Sequence, residues 1–252
     1  MCDPAGKGVP LGRDTMSSGL QAAANYHDWT FEWIRPFVSG RILDIGGGTG
    51  NHIQRLTEHE LVSIDLSVAC VQELREKYRT LERWHFAVAD VTDQQTVAAL
   101  GPGTFDTVLS CNVFEHIPDD EAAVVNAADL LKPGGRMVLV LPAHAALFGC
   151  MDRMAGHFRR YDKAMVRTLM DKAGLVPTHL RYVNVLGALG WFVNNRIIRH
   201  DNLSSGGING QIRLFDRWGV PLLRFLEGAR GMPFGQSLVC VGEKPIHSRP
   251  NL

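Results

Sequence analysis

The stretch that most constrains this chain is Arg41–Asn51, which reads RILDIGGGTGN. Arg41–Ile45 is a short apolar run with one acid, Asp44, near its end, and glycines follow at once. Such a run predicts a buried parallel strand that leads into a tight turn and then a helix. Because glycine permits positive φ and lets a ligand lie against main-chain N–H groups, the pattern predicts a site for a nucleotide-like ligand.

The spacing of these glycines and the nearby acids narrow the choice of ligand. The dinucleotide fingerprint is G-x-G-x-x-G, whereas here glycines stand at Gly46, Gly48 and Gly50. Asp44 would repel a pyrophosphate but suits a cationic amino group. A second apolar run ends at Asp65, where an acid can accept hydrogen bonds from ribose hydroxyls. The pattern therefore disfavours an NAD-dependent oxidoreductase and favours a nucleoside with an amino-acid tail.

At these residues the chain resembles the class I S-adenosylmethionine-dependent methyltransferases, whose first motif D-x-G-x-G-x-G is matched by Asp44, Gly46, Gly48 and Gly50. The resemblance is strongest over residues 42–141. It implies an α/β fold: a Rossmann-like, seven-stranded, mostly parallel sheet with helices on both faces, an antiparallel last strand and a helical insertion before it. It also implies S-adenosyl-L-methionine as cofactor and S-adenosyl-L-homocysteine as product.

The resemblance further implies which residues bind the cofactor. Asp90 would accept from the adenine amine, although an acid at a strand end is also a common helix N-cap. Leu66 and Val91 would sandwich the ring. Tyr26 would reach the cofactor carboxylate, unless its helix only packs on the core. The implied set is Tyr26, Asp44, Gly46, Gly48, Gly50, Asp65, Leu66, Asp90, Val91, Asn112, Val113 and His116.

Residues 105–117 resemble the family's fourth motif, F-D-x-V-x-x-x-x-x-x-E-H. Main-chain groups of Asn112 and Val113 would face the methionine part of the cofactor, and His116 the adjoining pocket. The alternative is that Glu115 and His116 only cap the following helix. The block follows a strand, and ligands bind at the carboxyl edge of open α/β sheets.

Hydrophobic periodicity and turn signals predict the remaining elements. Helices are expected at 20–38, 51–59, 68–78, 119–131 and 163–173. Strands are expected at 41–45, 61–65, 84–88, 105–110, 137–141, 180–185 and 237–241, with a turn at 131–136.

Length and composition limit the number of domains and the class of binding partner. At 252 residues, one elaborated domain is favoured over two. We expect a flexible segment at 1–19, a methyltransferase domain at 20–245 with a helical cap at 187–235, and a tail at 246–252. Lys plus Arg equals Asp plus Glu at 26 each, which disfavours a nucleic-acid partner.

The cysteines and the apolar runs indicate in which cellular compartment the protein is expected. The five cysteines are scattered and include no C-x-x-C pair, which predicts reduced thiols. No signal-peptide pattern opens the sequence, and its apolar runs are too short or interrupted to span a bilayer. We expect a cytoplasmic protein without a stable membrane span.

A polar loop follows the predicted fifth strand at 142–161. It places several titratable side chains beside an apolar strand end, which indicates an acceptor site. Asp152 could instead pair with an arginine to stiffen the loop. With the neighbouring histidine of the fourth motif, the candidate catalytic residues are His116, His144, Asp152, His157, Arg159, Arg160 and Tyr161.

A second segment, 187–235, exceeds the minimal fold and carries apolar residues at helical spacing. It could be a cap over a hydrophobic substrate, a homodimer contact or a membrane-surface contact. The sequences Arg213–Asp216 and Phe234–Leu238 resemble a subgroup of bacterial small-molecule methyltransferases without naming a substrate.

These features predict O-methylation of a small or medium hydrophobic metabolite, on a hydroxyl or a carboxylate. A hydroxyl needs a base, for which His116, His144 and His157 are candidates, whereas a carboxylate needs only a clamp such as Arg159 or Arg160. Alternatives are N- or C-methylation in natural-product biosynthesis, or a cofactor-binding partner protein without catalysis. The histidine spacing matches no known zinc pattern, so no metal site is expected.

Overall fold

The computed structural model describes residues 18–195, 206–227 and 232–246. The strands are β1 (Arg41–Ile45), β2 (Glu60–Asp65), β3 (Trp84–Val88), β4 (Phe105–Cys111), β5 (Leu131–Pro142), β6 (Val176–Val183) and β7 (Ser237–Glu243). The helices are α1 (Ser18–Gln21), α2 (Ala24–Ile34), α3 (Val68–Lys77), α4 (Gln94–Leu100), α5 (Asp120–Leu130), α6 (Cys150–Ala155), α7 (Lys163–Lys172), α8 (Val185–Val193), α9 (Gly206–Leu214) and α10 (Val220–Glu227). A π-helical stretch, Phe215–Gly219, joins the last two.

The strands form one sheet in the order β3-β2-β1-β4-β5-β7-β6. The first five strands run parallel, and β7 lies antiparallel between β5 and β6. The predicted fold class is therefore confirmed, including the reversed last strand. The carboxyl ends of β1, β2, β4 and β5 meet at one edge, and the candidate site lies there.

Each face of the sheet is covered by helices, because alternate residues of a strand point to opposite faces. In β1, Leu43 belongs to one apolar cluster and Ile42 to the other. The first cluster packs against α5 and α7, and the second against α2, α3 and α10. Burial of both faces explains why the central strands read as continuous apolar runs.

Local caps set several helix starts. Asp162 accepts hydrogen bonds from the N–H groups of Ala164 and Met165 at the start of α7. Ser67 accepts from the N–H of Cys70 and begins α3. Each cap satisfies donors that have no partner within the first helical turn.

Two predicted elements are wrong. Residues 51–59 form no α-helix; only a 3₁₀ turn, Ile53–Arg55, follows the glycine loop, because the chain returns at once to β2. Residues 131–136 belong to β5, since the Gly134 N–H donates to the Lys244 carbonyl and the Lys244 N–H donates to the Gly135 carbonyl, which continues the pairing with β7. The helices α4 and α6 were not predicted.

Parts of the sequence predictions lie outside the described residues. They are the predicted flexible segment up to residue 17, the tail from 247 onward, and parts of the predicted cap at 196–205 and 228–231. Cys70, Cys111 and Cys240 are free thiols as predicted, whereas Cys150 is disulfide-bonded, so the prediction of reduced thiols is wrong for that residue. None of the described helices has the length and apolar character needed to cross a membrane.

Candidate functional site

The glycine turn after β1 is the first part of the site. Gly46, Gly48 and Gly50 have φ of +79°, +52° and +78°, a region that favours glycine. A Cβ on Gly46 would lie 2.3 Å from Val113 Cγ2, and one on Gly50 would lie 2.8 Å from Leu74 Cδ2. The nearest atom to a Cβ on Gly48 is a carbonyl oxygen 3.9 Å away. The outer glycines therefore permit close packing, and Gly48 leaves backbone open to a ligand.

Asp44 lies buried beneath this turn. Its Oδ2 accepts a hydrogen bond from Ser63 Oγ at 2.7 Å. Burial raises the pKa of Asp44 to about 7, although the Ser63 hydrogen bond opposes the shift. A cationic amino group placed beside it would stabilise the charged carboxylate. The Asp44 carboxylate therefore fits the amino group at the amino-acid end of the expected cofactor.

Asp65 ties the glycine turn to the start of α3. Its Oδ2 accepts from the N–H of Gly48 at 2.8 Å, and its Oδ1 accepts from the N–H of Ser67 at 2.7 Å. Each carboxylate oxygen has a second lone pair that can still accept from a hydroxyl. The predicted contact with ribose hydroxyls stays a prediction, and the structure adds an ordering role for this side chain.

The predicted adenine-binding residues differ in their surroundings. Asp90 Oδ1 accepts from both the N–H and the hydroxyl of Thr92, each at 2.8 Å, which makes a local turn. Val91 is buried in the core, and Leu66 is 49% exposed. Leu66 is thus free to contact a ring, whereas Val91 packs inside the protein.

The end of β4 lies against the glycine turn. Asn112 has a positive φ of 54°, and its N–H donates to the carbonyl of Val140 at 2.8 Å. Val113 then packs on Gly46. Tyr26 lies at the same edge, where burial raises its pKa to about 12.

Asp152 is the centre of the polar loop. Its fully buried carboxylate accepts from Gly149 N at 2.8 Å, His157 Nδ1 at 3.0 Å, Arg160 Nε at 2.7 Å and Trp191 Nε1 at 3.2 Å. Four donors hold the charged form, and the pKa of Asp152 is lowered despite the opposing effect of burial. The carboxylate therefore stiffens the loop, which is the alternative left open by the sequence.

Glu115, His116 and His157 lie together beside Asp152. Their ligand-type atoms are all within 4.8 Å of one another, and the two histidine rings are 4.7 Å apart edge to face. Glu115 is fully buried, and burial raises its pKa to about 7. Burial and the nearby His157 lower the pKa of His116 to about 4, so that its ring is neutral at pH 7.

The other predicted catalytic residues lie outside this group. Arg159 pairs with Asp120 at 2.7 Å, and the Tyr161 hydroxyl donates to the same Asp120 at 2.8 Å. His144 has its ring between those of Tyr182 and Phe234, with centroids 4.4 and 4.5 Å away. The structure thus brings together His116, Asp152, His157 and Arg160, and it separates His144, Arg159 and Tyr161 from them.

The sequence reading missed two residues of this region. Trp191 in α8 reaches Asp152, and Asn195 accepts from the N–H of Met151 at 2.9 Å. These bonds join the polar loop to the segment that was predicted as a cap. No local pattern signals them, because each joins residues about forty positions apart.

Comparison with known proteins adds to this geometry. A family model described as a methyltransferase domain matches residues 21–180. The ubiquinone biosynthesis O-methyltransferase of Xanthomonas euvesicatoria pv. vesicatoria is 35% identical over 104 residues, which are 40% of this chain and 43% of that protein. A lovastatin nonaketide synthase component of Aspergillus terreus is 30% identical over 115 residues, which are 43% of this chain and 4% of that protein. The chain thus spans less than half the length of these relatives.

A solved structure also shares the fold. Geranyl diphosphate C-methyltransferase from Streptomyces coelicolor A3(2), in complex with Mg²⁺, geranyl diphosphate and S-adenosyl-L-homocysteine, has a TM-score of 0.63 and 12% sequence identity. The match covers 90% of this chain and 82% of that one. At this identity the similarity establishes the fold.

Proposed function

This chain belongs to the class I S-adenosylmethionine-dependent methyltransferases, and from that premise we propose that it methylates an oxygen atom of a small or medium hydrophobic metabolite. The oxygen acceptor is supported by the O-methyltransferase similarity and by the neutral His116 at the carboxyl edge of the sheet. Similarity to a polyketide synthase component supports an acceptor from natural-product biosynthesis.

S-adenosyl-L-methionine is the cofactor, and when bound it supplies an electrophilic methyl group on a sulfonium sulfur. Gly48 leaves backbone open toward the ligand, Asp44 offers a carboxylate to an ammonium group, and Asp65 retains lone pairs for hydroxyls. These residues would hold and orient the cofactor. The protein contributes mainly alignment and exclusion of water, because methyl transfer is an in-line displacement at carbon.

The single observation that carries the acceptor proposal is the free Nδ1 of His116. This atom is buried and has no hydrogen-bond partner among the described residues. An acceptor hydroxyl in this position could hydrogen-bond to the ring and lose its proton toward the group formed by Glu115, His116 and His157. Glu115 has a pKa near the working pH, which suits a final proton acceptor.

A hydrophobic acceptor is supported by the apolar surface of α8, α10 and the π-helical stretch. Large apolar side chains on these elements are about half exposed or more, and large exposed apolar patches commonly mark binding sites. They are Leu189, Trp218, Leu222, Phe225 and Leu226. A hydrophobic ligand that packs against this segment would cover part of that apolar surface.

A mass-spectrometric screen tests the proposal. Purified protein is incubated with S-adenosyl-L-methionine and panels of phenols, aliphatic alcohols, carboxylic acids and amines of matched size. We expect a mass gain of one methylene on a hydroxyl or carboxylate compound, and less of it with His116→Gln. Exclusive methylation of the amines, or of RNA or protein in a labelled extract, would overturn the proposal.

A further inference from the structure

Glu115 is a buried carboxylate that the fold leaves without a partner. Its side chain is 0% exposed, and neither carboxylate oxygen has a hydrogen-bond partner among the residues that the structure describes. The nearest opposing group is His157, whose Nε2 lies 3.9 Å from Oε1. Buried carboxylates are normally paired, hydrogen-bonded or coordinated to a metal, because an isolated one is costly.

The two histidines beside Glu115 offer lone pairs in its direction. His157 donates from Nδ1 to Asp152 Oδ1, which fixes the tautomer that leaves a lone pair on Nε2. The Nδ1 atom of His116 is buried and has no hydrogen-bond partner among the residues that the structure describes. A carboxylate that orients a metal-binding histidine through its second nitrogen is a common supporting arrangement in metal sites.

We propose that Glu115, His116 and His157 bind one divalent first-row transition-metal ion, with Zn²⁺ as the test ion. Two histidine nitrogens and one carboxylate suit zinc and leave a coordination position for an exogenous oxygen ligand. This assignment differs from the sequence expectation of no metal site, because the third ligand comes from a loop that no spacing pattern connects to residues 115–116.

The geometry needs only a small adjustment to hold an ion. Ligands about 2.1 Å from one tetrahedral zinc ion are about 3.4 Å apart, so a pair of ligand atoms at the present maximum of 4.8 Å would have to approach by about 1.4 Å. A backbone hydrogen bond of 2.8 Å from Phe158 N to the Glu115 carbonyl already holds the two segments together.

The surrounding charges permit a cation. Two carboxylates, Glu115 and Asp152, face a single guanidinium, that of Arg160, which is bonded to Asp152 rather than to Glu115. With neutral histidines the group carries one excess negative charge when Glu115 is ionised. A divalent ion would satisfy the orphan carboxylate, and the rival explanation is that Arg160 reorients toward Glu115.

The test uses the full chain in the absence of acceptor and of S-adenosyl-L-methionine. Chelator-treated protein is titrated with Co²⁺, whose visible absorption intensifies in a protein site of low coordination number, and Zn²⁺ is then added to displace it. We expect one ion per chain. Glu115→Gln and His157→Gln should each weaken binding at least tenfold, and Asp152→Asn by about 10–100-fold.

His85→Gln is the matched control, because His85 is an exposed histidine on β3 away from the group. Its metal affinity should equal that of the wild type, and S-adenosyl-L-homocysteine binding verifies that each variant is folded. If a variant fails that check, the proposal is decided by whether the wild-type protein binds one Co²⁺ ion per chain. Absence of a stoichiometric ion, or equal losses in His85→Gln and His157→Gln, would overturn the proposal.

A bound ion would occupy the lone pairs of Glu115 and His116 and would therefore replace their proposed role as proton acceptors. The metal proposal and the O-methylation proposal themselves fail separately. Ion binding is measured without any methyl acceptor, so its absence would leave O-methylation untouched. Conversely, methylation of amines alone would overturn the acceptor assignment while the cobalt titration still stood.

Discussion

The two halves of the carboxyl edge are built in different ways. Around the glycine turn, Asp65 accepts from two backbone N–H groups and the glycines shape the main chain itself. Around the polar loop, Asp152 joins side chains that are far apart in sequence, up to Trp191. The proposed cofactor half, around the glycine turn, is thus defined by backbone geometry, whereas the proposed acceptor half, around the polar loop, depends on a buried network of charged and polar side chains. Substitutions in the proposed cofactor half should therefore lower the affinity for the cofactor. Substitutions in the proposed acceptor half should lower the free energy of unfolding.

The largest effect should come from Asp152→Ala. This substitution leaves Arg160 and His157 buried without their shared acceptor, and breaking such a pair costs about 3–5 kcal/mol in the free energy of unfolding. Urea denaturation followed by tryptophan fluorescence measures the loss. Asp162→Ala, which removes only an exposed helix cap, should cost about 1 kcal/mol. Equal losses in the two variants would contradict a network centred on Asp152.

The pH dependence of cofactor binding should be the next largest effect. Burial raises the pKa of Asp44 to about 7, so below that pH the free carboxyl carries a proton that it must release to pair with an ammonium group. The affinity for S-adenosyl-L-homocysteine should rise about tenfold per pH unit from pH 5 to 7. It should fall again above about pH 8, where an α-amino group loses its own proton. Calorimetry across this range measures both limbs.

Two variants test which carboxyl group causes the rise in affinity between pH 5 and 7. Asp44→Asn should flatten it, because the group that titrates is gone. Glu115→Gln should retain it, although Glu115 also has a pKa of about 7, since Glu115 lies in the acceptor half. If Glu115→Gln also flattened the dependence of cofactor affinity on pH, the two halves would not be distinct.

Asp65→Ala should weaken cofactor binding by about 1–3 kcal/mol, which is the cost of losing a hydrogen bond to a charged group. The variant also frees the N–H groups of Gly48 and Ser67 that order the turn. Calorimetry with S-adenosyl-L-homocysteine gives the affinity. Asp93→Ala removes another acid that caps a helix, α4, and should leave the affinity unchanged. An unchanged affinity in Asp65→Ala would be the contrary result.

The smallest effect on the fold should come from Trp218→Glu. Trp218 is 65% exposed, so the free energy of unfolding should change by less than about 0.5 kcal/mol. Because the side chain belongs to the proposed cap, the acceptor KM should rise while cofactor affinity stays the same. Initial-rate kinetics with an identified acceptor tests this. Arg217→Glu introduces the same acid next to it, and a similar rise in KM there would indicate a general charge effect.

Local signals explain what the sequence predicted well. The bounds of β3 and the start of α3 follow from apolar runs and caps within a few residues, and the order of the sheet follows from the family resemblance. The glycine turn was predictable for the same reason, because one short stretch determines its backbone. These are contacts that a chain makes with its near neighbours.

The acceptor half was less predictable because its contacts are distant. The charges that act on the Glu115 carboxylate come from residues 152–160, and one of the four hydrogen bonds to Asp152 comes from Trp191. The same holds for the start of β5, where pairing with Lys244 turns an expected turn into a strand. The sequence named most side chains of the polar loop but could not show which of them face each other.

The position of β7 has a consequence for how the protein is made. β7 pairs with β5 through residues 136–142 and with β6 through residues 176–183, so it lies between two strands synthesised well before it. Within the described sheet, β6 is an edge strand whose neighbour is β7. Until residue 243 emerges from the ribosome, β5 exposes an unpaired edge and β6 has no strand to join. The five parallel strands can assemble during synthesis, but the sheet is completed only after nearly all of this sequence has been translated, and a nascent chain halted before residue 237 would expose an aggregation-prone edge.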